Sequence, residues 1–449
     1  MSPPAILAGI MVATIIAGTI LLRLPLAHHG PPIGWLDALF TATSAVCVTG
    51  LVVVDTGTQF SFFGQLVILI LIQIGGLGLM TIGTTVLLAL GQSPTIVLRH
   101  VLTGIAGHRD VIRASDILQT VFLVTLIAEA IGAAVLFIPF SRSYPPGEAL
   151  WLAVFHSVSA FCNAGFSLWP DSLTRFGADA AVNLTVMALI ILGGLGFVVL
   201  LESRMWIASH FRPTGGRMRL SLHSKIVLTG SFVAIVAGAV VFYVFEQGNV
   251  LARMAWDERL LASVFQSVTS RTAGFNTVDI GALTNPTLLV LIALMFVGGG
   301  SGSMAGGIKL TTATTVAAVA IQRLRGKHEV HLFKRSIGPV TIQRAFVLCV
   351  VAAAIIAGTI CLLEVVRGSG QPTSAGRAEL LAVIFEVVSG FGTVGLSMGI
   401  TADLEPVARA AMVVVMFIGR VGPLILMDYF ARLPAPPPLR HAKEELMIG

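Results

Sequence analysis

The sequence predicts an all-α polytopic membrane protein built from four covalently joined repeats, each a span, a short helix and a second span. Three observations predict this class. The 449 residues are 55% hydrophobic and 11% charged, with a mean hydropathy of +0.92, whereas soluble proteins carry about 25% charged residues. Windows such as 60–98 and 226–245 contain no charge. A short glycine-containing peptide also recurs four times. This composition excludes a soluble α/β protein.

Apolar runs of about 18 or more residues are typical of membrane helices. Eight full spans are predicted on this criterion, at 5–27, 60–90, 116–140, 180–201, 225–245, 287–321, 340–363 and 406–431. The first run lacks a basic start and a small-residue cleavage site, so we interpret it as a retained span and not a signal peptide.

Between the two spans of each pair lies a shorter apolar element. The four are 35–46, 148–161, 258–270 and 378–390. An element of this size forms a helix of about 18 Å, which cannot cross a hydrocarbon core of about 30 Å. We interpret the four as re-entrant half-helices, with surface loops of apolar bias as the alternative.

Basic residues cluster in alternate connections. They concentrate in 92–116, 202–225, 322–344 and the C-terminal tail, whereas most acidic residues lie in the other connections. By the positive-inside rule the basic set is cytoplasmic, so both termini are predicted to be inside. The sequence pI of about 9.5 is therefore a topology signal, and no nucleic-acid partner is expected.

The recurring peptides are "SAVCVTGL" (44–51), "SAFCNAGF" (159–166), "SRTAGF" (270–275) and "SGFGTVGL" (389–396). A second landmark follows each one: "GGLG" at 75–78, "GGLG" at 193–196, "GGGSG" at 298–302 and "GRVG" at 419–422. Two markers in one register are strong evidence for a fourfold repeat. We divide the single membrane domain, 1–449, into repeats 1–98, 99–215, 216–330 and 331–449.

Four such loops around a pseudo-fourfold axis favour a cation pore. Irregular backbone at membrane depth must be buried in protein or line a watery cavity, and rings of backbone carbonyls can replace the hydration shell of an ion. The alternative is small-residue packing at helix crossings. The predicted K⁺ filter comprises Val48, Thr49, Gly50, Asn163, Ala164, Gly165, Thr272, Ala273, Gly274, Thr393, Val394 and Gly395.

At these residues, and at "TAGFNT" (272–277), "GSMAGGIK" (302–309) and "GRVGP" (419–423), the chain resembles the Ktr/Trk/HKT superfamily of potassium transporters, and within it the KtrB-type membrane subunits. We expect no further spans before the first repeat, unlike Trk-type subunits. The third repeat has one residue fewer between its Ser-Val-Thr and its Ala-Gly-Phe than the second, so a strictly fourfold filter is not expected.

Residues 298–307 read "GGGSGSMAGG" inside the sixth predicted span. Glycine costs a helix about 1 kcal/mol per residue relative to alanine, so this run should break the span into 287–297 and 308–321. It lacks the Gly-Lys-Ser/Thr of a phosphate loop. The resemblance implies an intramembrane gate loop, and a flexible packing kink is the alternative. The gate residues are Gly298, Gly299, Gly300, Ser301, Gly302, Ser303, Gly306, Gly307, Lys309 and Arg420.

Arg420 is predicted to lie at the depth of this loop and to donate to its carbonyls, with snorkelling to the cytoplasm as the alternative. Lys309 is assigned to lipid headgroups or carbonyls. Arg271 is predicted to tie down the end of the third short helix. Glu129 is assigned an interhelical hydrogen bond, with a proton relay as the alternative, and His156 a packing role.

The resemblance implies potassium uptake across the bacterial plasma membrane, with no enzymatic activity and no organic cofactor. K⁺ is the expected transported ion, and Na⁺ is a second candidate. The implied partners are a cytosolic KtrA-type RCK ring that binds ATP or ADP, a second copy of the chain in a homodimer, and membrane lipids. The alternatives are a Trk- or HKT-like symporter of Na⁺ or K⁺ with different coupling, and an unrelated inverted-repeat secondary transporter.

Overall fold

The computed structural model describes residues 3–89, 114–210, 219–327, 329–367 and 373–432, and within them the chain is mostly helical. Of the basic segments in the topology prediction, most of 92–116, the middle of 202–225 and the C-terminal tail after Arg432 lie outside the described residues. The α-helices are α1 (Pro3–Arg23), α2 (Trp35–Val46), α3 (Thr56–Gln59), α4 (Phe62–Ala89), α5 (Ala114–Phe140), α6 (Pro146–Phe161), α7 (Ala180–Leu195), α8 (Phe197–His210), α9 (Leu222–Glu246), α10 (Trp256–Thr269), α11 (Asn285–Phe296), α12 (Leu310–Leu324), α13 (Pro339–Val366), α14 (Thr373–Gly392) and α15 (Pro406–Arg432).

Five of the described helices are long and apolar enough to cross a membrane, or six if the bent pair α7 and α8 counts as one span. The five lie within α1, α5, α9, α13 and α15. Two shorter apolar helices, Phe62–Gly78 and Asn285–Phe296, fall below that length. The structure therefore contains several membrane-spanning candidates, and the expectation of eight full spans stays a prediction.

Each of the four short elements of the sequence analysis contains a helix. Helix α2 has the predicted bounds 35–46, α6 begins two residues before the predicted start, and α10 covers Trp256–Thr269. Helix α14 begins at Thr373 and is longer than predicted. Helices α2, α6 and α10 carry acidic residues in the first turn, namely Asp37, Glu148 and Asp257. A negative charge there complements the positive end of the helix dipole.

The glycine-rich run interrupts the sixth predicted span. Helix α11 ends at Phe296 and α12 begins at Leu310, so residues 297–309 form an irregular segment that we call the intramembrane loop. Two backbone hydrogen bonds join its ends: Gly298 N–H donates to the Ile308 carbonyl at 2.8 Å, and Leu310 N–H donates to the Gly299 carbonyl at 3.0 Å. The first and last residues of the loop therefore lie side by side, so the end of α11 and the start of α12 are close together.

The fourth predicted span, 180–201, is not one straight helix. It breaks at Gly196 into α7 and α8, which meet at 103°. Gly196 has a φ of +90° and a ψ of 151°, a backbone conformation that is essentially restricted to glycine. Phe197 N–H donates to the Gly302 carbonyl at 3.4 Å. The bend thus lies where the helix meets the intramembrane loop.

Side-chain and backbone contacts join neighbouring parts of the bundle. The Trp151 indole donates to Gln65 Oε1 at 2.8 Å, which joins the second repeat to the first. Leu173 N–H donates to the Asn276 carbonyl at 3.0 Å, which joins the second to the third. Arg409 in α15 forms an ion pair with Asp37 in α2 at 2.5 Å, which joins the last repeat to the first.

A short hairpin, β1 (His331–Leu332) paired antiparallel with β2 (Arg335–Ser336), follows α12. The core lies behind the repeated peptides, where Phe155, Phe166, Phe275 and Phe385 are fully buried. Phe166 and Phe275 end two of the recurring peptides, and Phe155 and Phe385 belong to short helices, so buried rings lie within and beside these peptides.

Candidate ion filter and intramembrane loop

The glycines of the four recurring peptides meet around one point. A β-carbon placed on Gly50 would lie 3.0 Å from the Gly165 Cα, and one placed on Gly165 would lie 2.9 Å from the Gly274 Cα. One placed on Gly274 would lie 3.1 Å from the Gly395 Cα, and one on Gly395 would lie 3.1 Å from the Gly50 Cα. The four glycines thus form a closed ring in chain order. Their role as ion ligands stays a prediction.

The carbonyl of the residue before each ring glycine lies against the glycine of the preceding repeat. A β-carbon on Gly50 would lie 2.4 Å from the Ala164 oxygen, and one on Gly395 would lie 2.2 Å from the Thr49 oxygen. The corresponding distances are 2.7 Å from Gly165 to the Ala273 oxygen and 2.4 Å from Gly274 to the Val394 oxygen. Any side chain at these glycines would therefore collide with a ring carbonyl.

The backbone of all four peptides is left-handed at two positions. One is the glycine itself, with φ between +69° and +93°. The other is the residue two positions earlier, where φ is +55° at Val48, +59° at Asn163, +75° at Thr272 and +49° at Thr393. A β-branched residue with positive φ is an outlier, whereas asparagine tolerates it better. The three β-branched residues Val48, Thr272 and Thr393, in one register, mark backbone strain of the kind that clusters at functional sites.

Side chains at the second position do not behave alike. The Thr272 and Thr393 hydroxyls, and that of Thr49, are buried without a hydrogen-bond partner among the described residues. Asn163, with its amide oriented to satisfy both atoms, donates to the carbonyls of Ile190 at 3.2 Å and Ala160 at 3.0 Å. Its side chain therefore binds α7 and the end of α6, and only its backbone remains available to the ring.

The second landmark has a packing role in three repeats. A β-carbon on Gly75 would lie 1.9 Å from the Val46 oxygen, one on Gly193 the same distance from the Phe161 oxygen, and one on Gly419 the same distance from the Phe391 oxygen. Each oxygen belongs to the residue four positions before the ring glycine. Glycine at the landmark therefore lets the second helix of the repeat cross directly against the end of the short helix.

In the third repeat the landmark belongs to the intramembrane loop, which packs against the ring. A β-carbon on Gly306 would lie 2.0 Å from the Thr393 Oγ1, and one on Gly307 would lie 3.2 Å from the Gly392 Cα. On the opposite side the loop docks onto α7: Gly300 N–H donates to the Gly194 carbonyl at 3.0 Å. The loop thus reaches from the second repeat to the filter peptide of the fourth.

Arg420 is 2% exposed and reaches the loop. Its guanidinium donates to the Met304 carbonyl and, at 3.4 Å, to the Gly75 carbonyl of the first repeat. The charge is therefore buried against the loop and does not snorkel. Lys309 binds a loop carbonyl, that of Ala305, through Nζ.

Arg271 lies at the other end of the loop. It is 8% exposed, and it donates to the Ser231 carbonyl of α9 and to the Gly298 carbonyl, both at 3.4 Å. Its Nε has no partner among the described residues. Arg271 therefore links the peptide of the third repeat both to α9 and to the start of the loop.

Sequence reasoning gave no role to two polar residues of the short helices, Gln266 and Glu386. Gln266 donates to the Thr277 hydroxyl at 3.3 Å, and Glu386 accepts from the hydroxyls of Ser397 at 2.8 Å and Thr401. His156 makes the equivalent contact to Ser167 at 3.1 Å. All three residues lie eight or nine positions before the ring glycine of their repeat. That shared position is the sequence pattern that could have identified Gln266 and Glu386.

Glu129 in α5 accepts a hydrogen bond from Gln73 in α4 at 3.1 Å. The Glu129 backbone carbonyl also accepts from the Ser157 hydroxyl of α6 at 2.7 Å. The interhelical hydrogen bond expected for Glu129 is thus present in the structure. It ties the first repeat to the second beside the short helix.

The chain matches the model of the TrkH family, described as cation transport protein, over residues 8–436. It is 40% identical over 433 residues to the Ktr system potassium uptake protein B of Bacillus subtilis (strain 168), covering 96% of this chain and 93% of that protein. It is 35% identical over 448 residues to the Ktr system potassium uptake protein B of Vibrio alginolyticus, covering 99% and 95%.

A third relative is the potassium/sodium uptake protein NtpJ of Enterococcus hirae, which is 34% identical over 455 residues and is covered to 98% of its length. Among solved structures, the potassium transporter TrkH from Vibrio parahaemolyticus aligns with a TM-score of 0.75 at 17% identity. That alignment covers 96% of this chain and 85% of the other. At this identity the likeness concerns the fold alone.

Proposed function

Because this chain belongs to the TrkH family of cation transport proteins, we propose that it is the ion-translocating subunit of a potassium uptake system in a bacterial plasma membrane. The names of its relatives in Bacillus subtilis and Vibrio alginolyticus support potassium as the ion. Membership of a transporter family, and not of an enzyme family, also supports the absence of an enzymatic activity.

The observation that carries the proposal is the closed ring of Gly50, Gly165, Gly274 and Gly395 with the carbonyls that precede them. A cation entering such a ring exchanges water oxygens for carbonyl oxygens. Left-handed backbone at alternate positions allows neighbouring carbonyls to face the same side. The short helices end at these peptides, so their partly negative C-terminal ends favour a cation there.

We propose a topology of eight spans and four half-helices with both termini in the cytoplasm. In this arrangement α11, the loop and α12 together form the sixth span, and α7 with α8 forms the fourth. The exposed basic residues Arg323, in the last turn of α12, and Arg325 and Lys327, after it, support a cytoplasmic location for that end by the positive-inside rule.

The intramembrane loop is proposed to close the ion path below the ring. Gly306 packs against Thr393 of the ring peptide, so an ion leaving the ring meets the loop. The buried charge of Arg420 adds an electrostatic barrier at the same place, since like charges repel strongly where little water is present. Opening of the ion path then requires the loop to break its hydrogen bonds with Arg420, Arg271 and α7.

The regulatory partner is proposed to be a separate cytosolic ring of RCK subunits that binds ATP or ADP, with the membrane subunit as a homodimer in a lipid bilayer. The word "system" in the names of two relatives supports a multi-component assembly. Na⁺ is proposed as a second ion, either coupled or competing, because NtpJ is named a potassium/sodium uptake protein.

Uptake in a bacterium that lacks its own potassium uptake systems tests the proposal. Expression of the chain with a KtrA-type partner should restore growth at low K⁺ and Rb⁺ uptake, whereas Gly274→Ser should not restore K⁺-selective uptake. Repeating the assay with and without Na⁺ separates coupling from competition. Na⁺ uptake at equal rate and with no preference for K⁺ would favour the second candidate, a Na⁺ transporter.

A further inference from the structure

Near its C-terminal end, each of the four short helices carries a buried hydroxyl that is hydrogen-bonded to the backbone of the ring glycine or of the residue directly after that glycine. These residues lie six positions before the ring glycine, or five in the third repeat. All four side chains have an exposure of 0%. They are Ser44, Ser159, Thr269 and Ser389. In the second and third repeats this hydroxyl is the last residue of the shared Ser-Val-Ser/Thr pattern.

Two of the hydroxyls accept hydrogen bonds. The Gly50 N–H donates to Ser44 Oγ at 3.1 Å, and the Gly395 N–H donates to Ser389 Oγ at 3.1 Å. In both cases the bonded group is the backbone nitrogen of the ring glycine itself. The hydroxyl therefore holds the left-handed glycine from the side of the short helix.

The other two hydroxyls donate. Ser159 Oγ donates to the Phe166 carbonyl at 2.8 Å, and Thr269 Oγ1 donates to the Phe275 carbonyl at 2.6 Å. The bonded residue directly follows the ring glycine. The residue after the glycine is leucine in the first and fourth repeats and phenylalanine in the second and third, so the two kinds of bond follow this difference in sequence.

We propose that these four hydroxyls are positioning residues that determine how strongly the filter prefers K⁺ to Na⁺; this inference rests on the filter function proposed above. Na⁺ is smaller and binds well only where the carbonyl ring can contract around it. The strained backbone of the ring peptides is free to relax once a bond to the short helix is lost. The hydrogen bonds from the short helices hold the ring peptides in place and keep the carbonyl ring from contracting.

The chain provides its own control in the same helices. Ser157 and Ser267 lie two residues before Ser159 and Thr269 and are equally buried. Ser157 Oγ donates to the Glu129 carbonyl at 2.7 Å and Ser267 Oγ donates to the Ile235 carbonyl at 2.7 Å. These hydroxyls bond the short helix to the preceding long helix, α5 or α9, and their hydrogen bonds do not go to the ring glycine or to the residue after it.

The test compares Ser159→Ala with Ser157→Ala, and Thr269→Ala with Ser267→Ala. Rb⁺ uptake is measured in proteoliposomes, and the inhibition constants of Na⁺ and K⁺ are taken as a ratio, which does not depend on the amount of folded protein. Loss of one hydrogen bond should lower the preference for K⁺ by about threefold to tenfold in Ser159→Ala and Thr269→Ala. The control variants should keep it.

Conservative variants separate the bond from general packing. Thr269→Ser keeps the donor and should keep the ratio. Ser159→Cys keeps the size and weakens the donor, so it should lower the preference for K⁺, and it replaces the alanine variant if that variant does not reach the membrane. The proposal is overturned if Ser157→Ala lowers the ratio as much as Ser159→Ala, because the effect would then be one of helix packing.

Gly274→Ser distinguishes failure of this inference from failure of the proposed function. If Gly274→Ser changes the ratio and all hydroxyl variants keep it, the bracing role is wrong and the filter stands. If Gly274→Ser also keeps the wild-type ratio, the ring is not the selectivity filter and both proposals are wrong.

Discussion

Replacing Arg420 is expected to raise ion flux by loosening the intramembrane loop. In the structure its guanidinium donates to the Met304 carbonyl of the loop. The second bond, to Gly75 at 3.4 Å, is long and adds little. A hydrogen bond from a charged donor contributes about 1.5–3 kcal/mol, and about 1.4 kcal/mol corresponds to a tenfold change in an equilibrium. Arg420→Ala should therefore favour the displaced loop by about tenfold to a hundredfold.

Three substitutions separate the effect of the hydrogen bond between Arg420 and the loop from the effect of the positive charge. Arg420→Ala removes both, Arg420→Gln keeps a donor without charge, and Arg420→Lys keeps the charge on a group that cannot match the planar guanidinium. If hydrogen bonding holds the loop, flux should rise most in Arg420→Ala. If electrostatic repulsion dominates, Arg420→Gln and Arg420→Ala should rise alike, and Arg420→Lys should stay near wild type.

Flux is measured as initial Rb⁺ uptake into proteoliposomes without the regulatory partner, normalised to incorporated protein. The exposed Arg325 beyond α12 provides the control, and Arg325→Ala should leave basal flux within twofold of wild type. A fall in flux for Arg420→Ala, at unchanged thermal stability and membrane level, would refute the assignment of the loop as a barrier. The ring assignment would be unaffected by that result.

Three other changes have expected outcomes. Gly395→Ser should abolish the preference for K⁺ over Na⁺, since even a β-carbon there would lie 2.2 Å from the Thr49 oxygen; unchanged competition by Na⁺ would contradict this. Arg271→Gln should raise basal flux less than Arg420→Ala, because both of its bonds are 3.4 Å long; equal or lower flux than wild type in the same uptake assay would argue against a role in holding the loop. Asp37→Asn and Arg409→Gln should each lower the thermal stability of the purified protein, and a double-mutant cycle should give a coupling of about 1 kcal/mol; additive effects would mean that the ion pair does not contribute to closing the bundle.

Glycine content predicted the most about this site. The spacing of four glycines from the sequence alone identified the residues that the structure brings into one ring. Six glycines in residues 298–307 predicted the break between α11 and α12, because the cost of helical glycine is local. The contact between Arg420 and a loop carbonyl was also within reach, since a buried guanidinium needs acceptors.

Features with a distant cause were not predictable. The letters "GGLG" occur at 75–78 and 193–196, yet α4 continues through the first and α7 ends at the second. The difference lies at Gly196, whose φ of +90° accompanies a contact with Gly302 more than a hundred positions away. Asn163 was included in the predicted filter, and its side chain donates to carbonyls of α7 and of the end of α6, contacts that no spacing in the sequence indicates.

The intramembrane loop is linked to all four of the predicted repeats. It belongs to the third repeat, docks on Gly194 of the second, packs against Thr393 of the fourth, and is held by an arginine that also binds Gly75 of the first. Four identical subunits would each bring such a loop to the same space, where one already touches every neighbour. In one polypeptide a single segment can differ from its counterparts, so the gate proposed above is asymmetric in a way that a ring of four identical subunits could not hold.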